Sequence, residues 1–481
     1  MGAPEAIIIG SGFSGSAAAA ALAERGCAVT VIERGPWRRT DFVKSLGIED
    51  AAPFPRGGRM TTGFLRSLGG VSFNKSGRVL FNRNGLFDVF LGDGLDVIGS
   101  ASVGGNSHVY GGISMRPVDR AYWDNAGEGL SAAAMEADYE AVERLLKPRR
   151  VGPEALGAAA LAKRFPSASK LMTGADETAL SLAISNAPLG EALTGRGGLF
   201  GCVDGSKRTV DETFLGPYLR SGKVRVLALH EVEAITREDS GYALHVRDLK
   251  RGKNVVLKSG RVVLAAGAFN TVSLLLKSRE RGLRLTEALG SHFGGNGDTA
   301  GIWRQKDDTD LTAATPTLQR VRLKSAPDLD IVEGAAPFPG FMPAPGFVTK
   351  GLSRTSLIAG MGKDKMNGEV SIADGRIRLS YNPDESPIIR ELEAAFDEIA
   401  RETGTKIEKP KRLFTVHPTG GAGIGRVVDG GGAVYGCPGL YVADASAFPK
   451  PLGSAPSLTI ATWARHVARG MELSNLYRSN K

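Results

Sequence analysis

The chain of 481 residues is poor in cysteine, with only Cys27, Cys202 and Cys437, odd in number and far apart. This excludes a disulfide framework and a zinc site of clustered thiols, and it predicts a reducing compartment. Long apolar runs are lacking too. The longest, Ala17 to Ala23, falls well short of the roughly 20 residues that cross a bilayer and reads as part of a helix. A first strand is expected by about Glu5, which leaves no room for a cleavable leader, so the expected location is cytoplasmic. There is no internal repeat, no low-complexity tract and no nucleic-acid motif. Acidic residues number 51 against 60 basic ones, a formal charge of +9. Part of that excess lies in short clusters, Arg38-Arg39, Lys147-Pro148-Arg149-Arg150 and Lys250-Arg251. They predict solvated surface, with transient association at an anionic membrane surface as the functional alternative.

Glycine, by contrast, is abundant at 64 residues, and the informative part of it is concentrated. From Ile7 to Glu33 the chain reads as a β-branched strand, Gly10-Ser11-Gly12-Phe13-Ser14-Gly15, an alanine-rich helix and a second strand ending in an acid. Gly10 permits a tight turn, Gly12 lets backbone approach a pyrophosphate, and Gly15 lets the helix lie close on the sheet. The helix start offers N–H groups and the positive end of its dipole to phosphates. Glu33 is spaced to accept hydrogen bonds from an adenosine ribose. The pattern predicts a dinucleotide site without saying which dinucleotide.

Further along, Trp37 to Gly94 shows no period and reads as long loops. Gly99 to Gly112 is a second glycine cluster, suited to backbone pressed against a flat ligand. A helix is expected over Ser131 to Leu146, with Ser131 as its cap. Strands follow at Val224 to Leu229, Tyr242 to Asp248 and Asn254 to Leu257, and Arg261 to Ala268 is a buried strand entering a small-residue turn. The region from Ala300 to about Pro387 alternates like antiparallel strands and contains an Asp374-Gly375 hairpin turn. Ile388 to Thr403 is an amphipathic helix, and Ser457 to Glu472 is the last helix. The expected fold is α/β: a Rossmann-like nucleotide domain from 1–45, 95–120, 200–299 and 412–481, with an interleaved α+β substrate or cap domain from 46–94, 121–199 and 300–411 built on a mostly antiparallel sheet.

Taken in order, these segments resemble the glucose, methanol and choline (GMC) flavoprotein oxidoreductases, and within them the bacterial cholesterol oxidase branch. The carriers are GSGFSG with Glu33, GSASVGGNSHVYGGISM, LAAGAFNTVSLLLKS, HFGGNGD, VHPTGG and LYVADASAFP. The resemblance implies FAD. No histidine precedes His108, so a histidyl attachment in the early region is excluded and the FAD is expected to be non-covalent. The cofactor-contacting residues it implies are Gly10, Gly12, Phe13, Ser14, Gly15, Glu33 and Arg34; then Gly104, Gly105, Asn106 and Ser107; and then Val232, Ala266, Gly267, Asp444, Ala445, Ala455, Pro456 and Ser457. Asp444 is expected to meet the ribityl or phosphate portion.

The resemblance also implies chemistry. His417 stands where the family keeps a base, which takes the alcohol proton while hydride passes to flavin N5. Glu333, in IVEGAAPFPG, resembles the cavity carboxylate that moves a proton during double-bond isomerisation, and an apolar cavity would suit that task. Two positions depart from the pattern: Ala455 replaces a hydrogen-bonding Asn or His, and Tyr110 stands where the branch has Asn. Tyr110 or His108 would then be the second group holding the alcohol. The implied function is oxidation of a hydrophobic, steroid- or terpenoid-like alcohol, with O2 or another electron acceptor. The alternative is a flavin-dependent isomerase, lyase or enone reductase using Glu333. No metal is implied.

Overall fold

The computed structural model describes residues 5–152, 160–171, 179–185, 199–306, 311, 316–335 and 345–473. The elements that position the site are, in chain order, β1 (Glu5–Ile9), α1 (Phe13–Glu24), β2 (Ala28–Ile32), β3 (Val224–Leu227), β4 (Val262–Leu264) and α2 (Ala268–Arg279). They continue with β5 (Thr299–Arg304), β6 (Thr317–Leu323), β7 (Ala326–Gly334), β8 (Thr355–Met361), α3 (Pro387–Thr403), β9 (Lys406–Glu408), β10 (Leu440–Val442) and α4 (Ser457–Gly470).

Ile7, Ile8 and Ile9 pair in parallel with Val262, Val263 and Leu264 on one side and with Thr30, Val31 and Ile32 on the other. The full order is β10-β4-β1-β2-β3, all parallel. A parallel sheet is buried on both faces, so its central strands carry unbroken apolar runs. α1 is buried throughout Ala17 to Ala23, because it lies between this sheet and α4 and only small side chains fit on both sides. The turn entering α1 is equally tight. A Cβ on Gly10, whose φ is +98°, would fall 2.3 Å from the Ala265 carbonyl oxygen, and one on Gly15 would fall 1.9 Å from that of Gly10.

A second sheet, antiparallel in the order β6-β7-β8-β5-β9, has two different faces. Trp303, Ile331 and Ile358 pack against Leu392, Phe396 and Ile399 of α3. On the opposite face Val332 and Met361 pack with Ala455. Side chains alternate along a strand, so Glu333 points to the α3 side, away from Ala455. The expected apolar cavity around Glu333 is therefore not found. Its carboxylate is fully buried and ion-paired with Arg164, and it accepts hydrogen bonds from Gln319 Nε2 at 2.6 Å and Ser356 Oγ at 2.7 Å. A carboxylate satisfied in this way is a structural anchor of the sheet, and the isomerase reading loses its proton carrier.

The segment Trp37 to Gly94 is also richer than expected. Leu65–Gly69, Arg78–Leu80 and Phe87–Phe90 join Asp96–Ser100 and Phe414–Thr415 in a five-stranded sheet. Its interior carries charge, which hides the alternation that would reveal it. Asp88 pairs with Arg34 at 2.8 Å and Arg66 at 3.1 Å, and Arg78 bridges to Glu231 at 2.5 Å. Burial alone would raise the Asp88 and Glu231 carboxyls, but the surrounding arginines outweigh it. Asp88 is held far below the carboxylate range, and Glu231 is pulled down to about 2. Arg38, expected at the surface, is fully buried and donates to the carbonyls of Asn84 and Gly85. Lys250 pairs with Asp50, and Arg251 with Asp248. The basic clusters thus do not form one cationic face. Among the described residues no helix is long and apolar enough to cross a membrane.

The helices agree well with expectation: Ser131 caps Ala132–Leu146 by accepting from the Ala134 N–H at 3.0 Å, and α3 and α4 lie where the sequence puts them. Two outcomes follow from the buried charges. Glu333→Gln should lower unfolding stability by about 3–5 kcal/mol in chemical denaturation, because it removes the buried ion pair with Arg164, while turnover persists in the folded fraction. Asp88 and Glu231 have depressed folded values, so their contribution is complete above the ordinary carboxylate range and is lost as pH falls from about 4.5 towards 2. Thermal melts across that window should show a steep acid limb that Arg78→Met makes shallower.

Candidate active site

The C-terminal ends of β1, β2, β4 and β10 open on one crevice, the place where parallel sheets bind ligands. Two glycine segments meet there. Ser11 gives its N–H and hydroxyl to Glu33 Oε2 at 3.1 and 2.7 Å and accepts the Gly104 N–H at 3.2 Å. Glu33 Oε1 accepts the Gly35 N–H at 2.8 Å. A Cβ on Gly105 would lie 2.7 Å from Gly12 Cα, so these backbones are in direct contact. Asn106 accepts the Ser100 N–H at 2.7 Å, and Ser107 bridges the Gly104 carbonyl to the Val210 N–H. Phe13 meets Tyr110 edge-on at 5.1 Å, and Ser14 reaches the Ala265 carbonyl at 3.4 Å.

A dinucleotide fits this crevice on one observation. Gly10, Gly15 and Gly105 are required by neighbouring protein atoms, whereas a Cβ on Gly12 or Gly267 meets nothing closer than 4.0 Å. Neither glycine is crowded there beyond ordinary van der Waals contact, which leaves room for phosphates beside the backbone. Arg34 is tied to Asp88 and donates to Asn270 at 3.2 Å, its guanidinium pKa lowered by burial. Val232 lies in the strand that starts where the His230 N–H bonds the Glu33 carbonyl, on the Glu33 side of the crevice. Ala266 and Gly267 form the second turn, with the Ala266 N–H on Thr271 Oγ1 at 3.2 Å.

Asp444 differs from expectation. It is 1 % exposed, and its oxygens accept from the Gly267 N–H at 2.9 Å, from Thr271, and from the Ser446 N–H and hydroxyl at 3.0 and 2.6 Å. Burial raises its pKa. It holds the Gly267 turn and caps Ala445–Ala447, and presents no open carboxylate to a ligand. Ala455 and Pro456 lead into α4, whose start at Ser457 has no side-chain cap.

His417 is placed by two strands. Phe414–Thr415 pairs with Asp96–Val97, which leads into the Gly104 loop, and Thr419–Gly420 pairs with Phe293–Gly294, which leads to Asn296 and Asp298. His417 Nδ1 lies 2.9 Å from Asp298 Oδ1. Asp298 Oδ2 accepts from Thr415 Oγ1 at 2.8 Å and from the N–H groups of Val416 and His417 at 3.0 and 3.2 Å. This carboxylate was not singled out in the sequence, although it closes the HFGGNGD motif. Neither was Asn296, which has φ +57° and is fully buried. Its side chain joins the same segment to Leu452 and Gly453 N–H and to the Ser454 carbonyl at 2.9–3.0 Å.

Both residues expected as the second group are engaged by other protein groups. Tyr110 donates its hydroxyl to the Arg208 carbonyl at 2.8 Å, with its pKa driven up by burial. His108 is fully buried, its Nε2 2.8 Å from the Val103 carbonyl and its ring tilted at 58° to that of Phe54, and burial lowers its pKa. Both are pinned by buried Lys207, which donates to the His108 and Tyr110 carbonyls at 2.8 and 3.1 Å and is brought by burial down to about 7. No sequence pattern marks Lys207. Glu333 faces α3, as described above.

The geometry has counterparts in known proteins. The chain is 25% identical over 348 residues to a cholesterol oxidase of Mycobacterium tuberculosis, a match covering 56% of this chain and 57% of the relative. It is 27% identical over 521 residues to an uncharacterized GMC-type oxidoreductase of the same organism, covering 96% of this chain and 75% of the relative. Pyridoxine 4-oxidase from Mesorbium loti shares the fold over 97% of this chain and 98% of its own, at a TM-score of 0.59 and 16% identity. A fungal aryl-alcohol oxidase does so over 97% and 98%, at 0.61 and 13%. The N-terminal GMC oxidoreductase pattern matches residues 6–290 and the C-terminal pattern residues 390–464. The chain therefore belongs to the GMC oxidoreductase family, enzymes that carry FAD non-covalently and act on CH–OH groups.

Proposed function

We propose that the chain oxidises a hydrophobic alcohol to a carbonyl with His417 as the base, and the observation that carries this is the Asp298–His417 pair at the junction of the glycine loop and the HFGGNGD motif. When bound, FAD supplies the two-electron acceptor for the hydrogen on the carbinol carbon. The Nδ1–H of His417 donates to Asp298, which assigns the proton to Nδ1 and leaves the Nε2 lone pair to take the alcohol proton. Once protonated, the imidazolium is balanced by the same carboxylate. Four hydrogen bonds to Asp298 fix its orientation, so the base is positioned before substrate arrives.

The apolar face formed by Val332, Met361 and Ala455 supports a lipophilic body, steroid- or terpenoid-like, as the cholesterol oxidase likeness suggests. Ala455 contributes packing and no hydrogen bond. The likeness to a cholesterol oxidase supports O2 as the electron acceptor, giving hydrogen peroxide.

Anaerobic mixing of the holoenzyme with a panel of lipophilic alcohols should bleach the flavin band, and an oxygen electrode should record one O2 consumed per carbonyl formed. A panel with no bleaching would overturn the reading, and dye reduction without O2 uptake would replace the acceptor. His417→Ala should slow flavin reduction by about 10²–10⁴-fold with FAD content unchanged. Asp298→Asn should also slow it, by about tenfold or more, because the amide can hold Nδ1 but cannot balance the imidazolium.

A further inference from the structure

A cleft of about 540 Å³ opens where the loop Ser114–Arg116, the strands Arg149–Val151 and Leu180–Leu182, and β6 converge. Arginine dominates its lining: Arg116, Arg120, Arg150, Arg320 and Arg322, against the single carboxylate Glu143. Arg116 is already committed to Glu136 and Glu143, and Arg320 to Asp330 at 2.5 Å. Arg120 and Arg322 pair with no carboxylate among the described residues, so the cleft keeps an excess of positive charge. Two buried donors there lack partners, Arg322 Nε and the hydroxyl of Ser114, a residue 2 % exposed. A buried polar group left unsatisfied costs about 1–3 kcal/mol, so such groups in a cleft wall ask for a ligand that accepts hydrogen bonds.

This cleft borders the apolar cluster that backs the wall assigned to the substrate. Met115 and Leu180 line it and also belong to the apolar cluster containing Val332, Met361 and Ala455. Arg320 pairs in register with Val332, which sets the guanidinium on the face of the second sheet opposite Glu333. One ligand can therefore lay an apolar body along Met115, Pro117 and Val118 and place an anionic end among the arginines. Guanidinium groups bind carboxylate and phosphate oxygens through directed, charge-assisted hydrogen bonds.

We infer that the alcohol oxidised by this chain carries an anionic group, a carboxylate or phosphate ester, seated between Arg322, Arg320 and Ser114. This rests on the proposed alcohol oxidation, and it narrows the substrate class from neutral lipids to amphipathic acids. The anionic end supplies binding and orientation and takes no part in bond making, so its loss raises KM and leaves the limiting rate of flavin reduction in place.

Binding and turnover test the two claims separately. Calorimetric titration of the holoenzyme with octanoate, octyl phosphate and octanamide should show at least one anion binding tenfold or more tightly than the amide. That preference should fade with salt and collapse in Arg322→Gln. Arg120→Gln, at the exposed rim, provides a second variant free of any folding burden and should weaken the preference in part. Equal affinity for anion and amide, or a preference indifferent to both substitutions, overturns the inference. Octanoate should inhibit alcohol oxidation competitively; non-competitive inhibition would make the cleft an effector site and overturn it equally. In anaerobic reduction, a hydroxy acid or hydroxy phosphate should show a lower KM than its neutral ester, with Arg322→Gln raising only the KM of the acid. If the anions bind as stated and no alcohol bleaches the flavin, the oxidation reading fails while the anion site stands.

Discussion

Gly105 lies so close to Gly12 that one methyl group on it would meet Gly12 Cα at 2.7 Å, and most of the site depends on that approach. It brings the second glycine cluster against the first turn. It also lets Ser11 link the Gly104 N–H to Glu33, although Ser11 and Gly104 are 93 residues apart in the chain. From the far side of the sheet, Asp444 reaches Gly267 in the same spirit, one buried carboxylate holding one turn. The cofactor cradle is thus made of backbone whose shape is set by a few side-chain oxygens.

The same economy runs through the rest of the protein. Asp88, Asp298 and Glu333 are all shielded from solvent and all accept several hydrogen bonds. Two of them are matched by arginine and one by histidine. Burial would otherwise favour the neutral acid of Asp88, so that site needs its arginines to remain an anion. Asp298 holds the residue that the proposed chemistry uses: His417 is half-buried, and its second ring nitrogen has no protein partner among the described residues.

Local signals were legible in the sequence and non-local ones were not. The turn glycines, the parallel strand Ile7–Ile9, the Ser131 cap, the Asp374-Gly375 hairpin and the helix Pro387–Thr403 each follow from spacing within one segment. The strands between Leu65 and Phe90 were hidden because Arg66 and Asp88 occupy an interior that periodicity assumes to be apolar. The orientation of Glu333 was hidden for another reason. Period-two alternation says that Val332 and Glu333 face opposite ways, but which face meets the crevice depends on the helix packed behind the strand. Asp298 and Lys207 act through partners distant in sequence, and no spacing rule links them to His417 or Tyr110.

The pairing of Phe414–Thr415 with Asp96–Val97, together with that of β10 with β4, has a consequence for how the molecule is made. During synthesis the first turn, α1 and β2 emerge early, but the strand that delivers His417, the edge strand β10 and the helix α4 that covers α1 come from the end of the chain. Contacts of such long sequence separation form late and slow the overall reaction, because the loop they close must be ordered first. A nascent chain therefore exposes the alanine face of α1 and the open edge of β4 until the segment from Leu440 to Gly470 has emerged. That interval is the one in which unpaired edges and apolar faces are most open to aggregation.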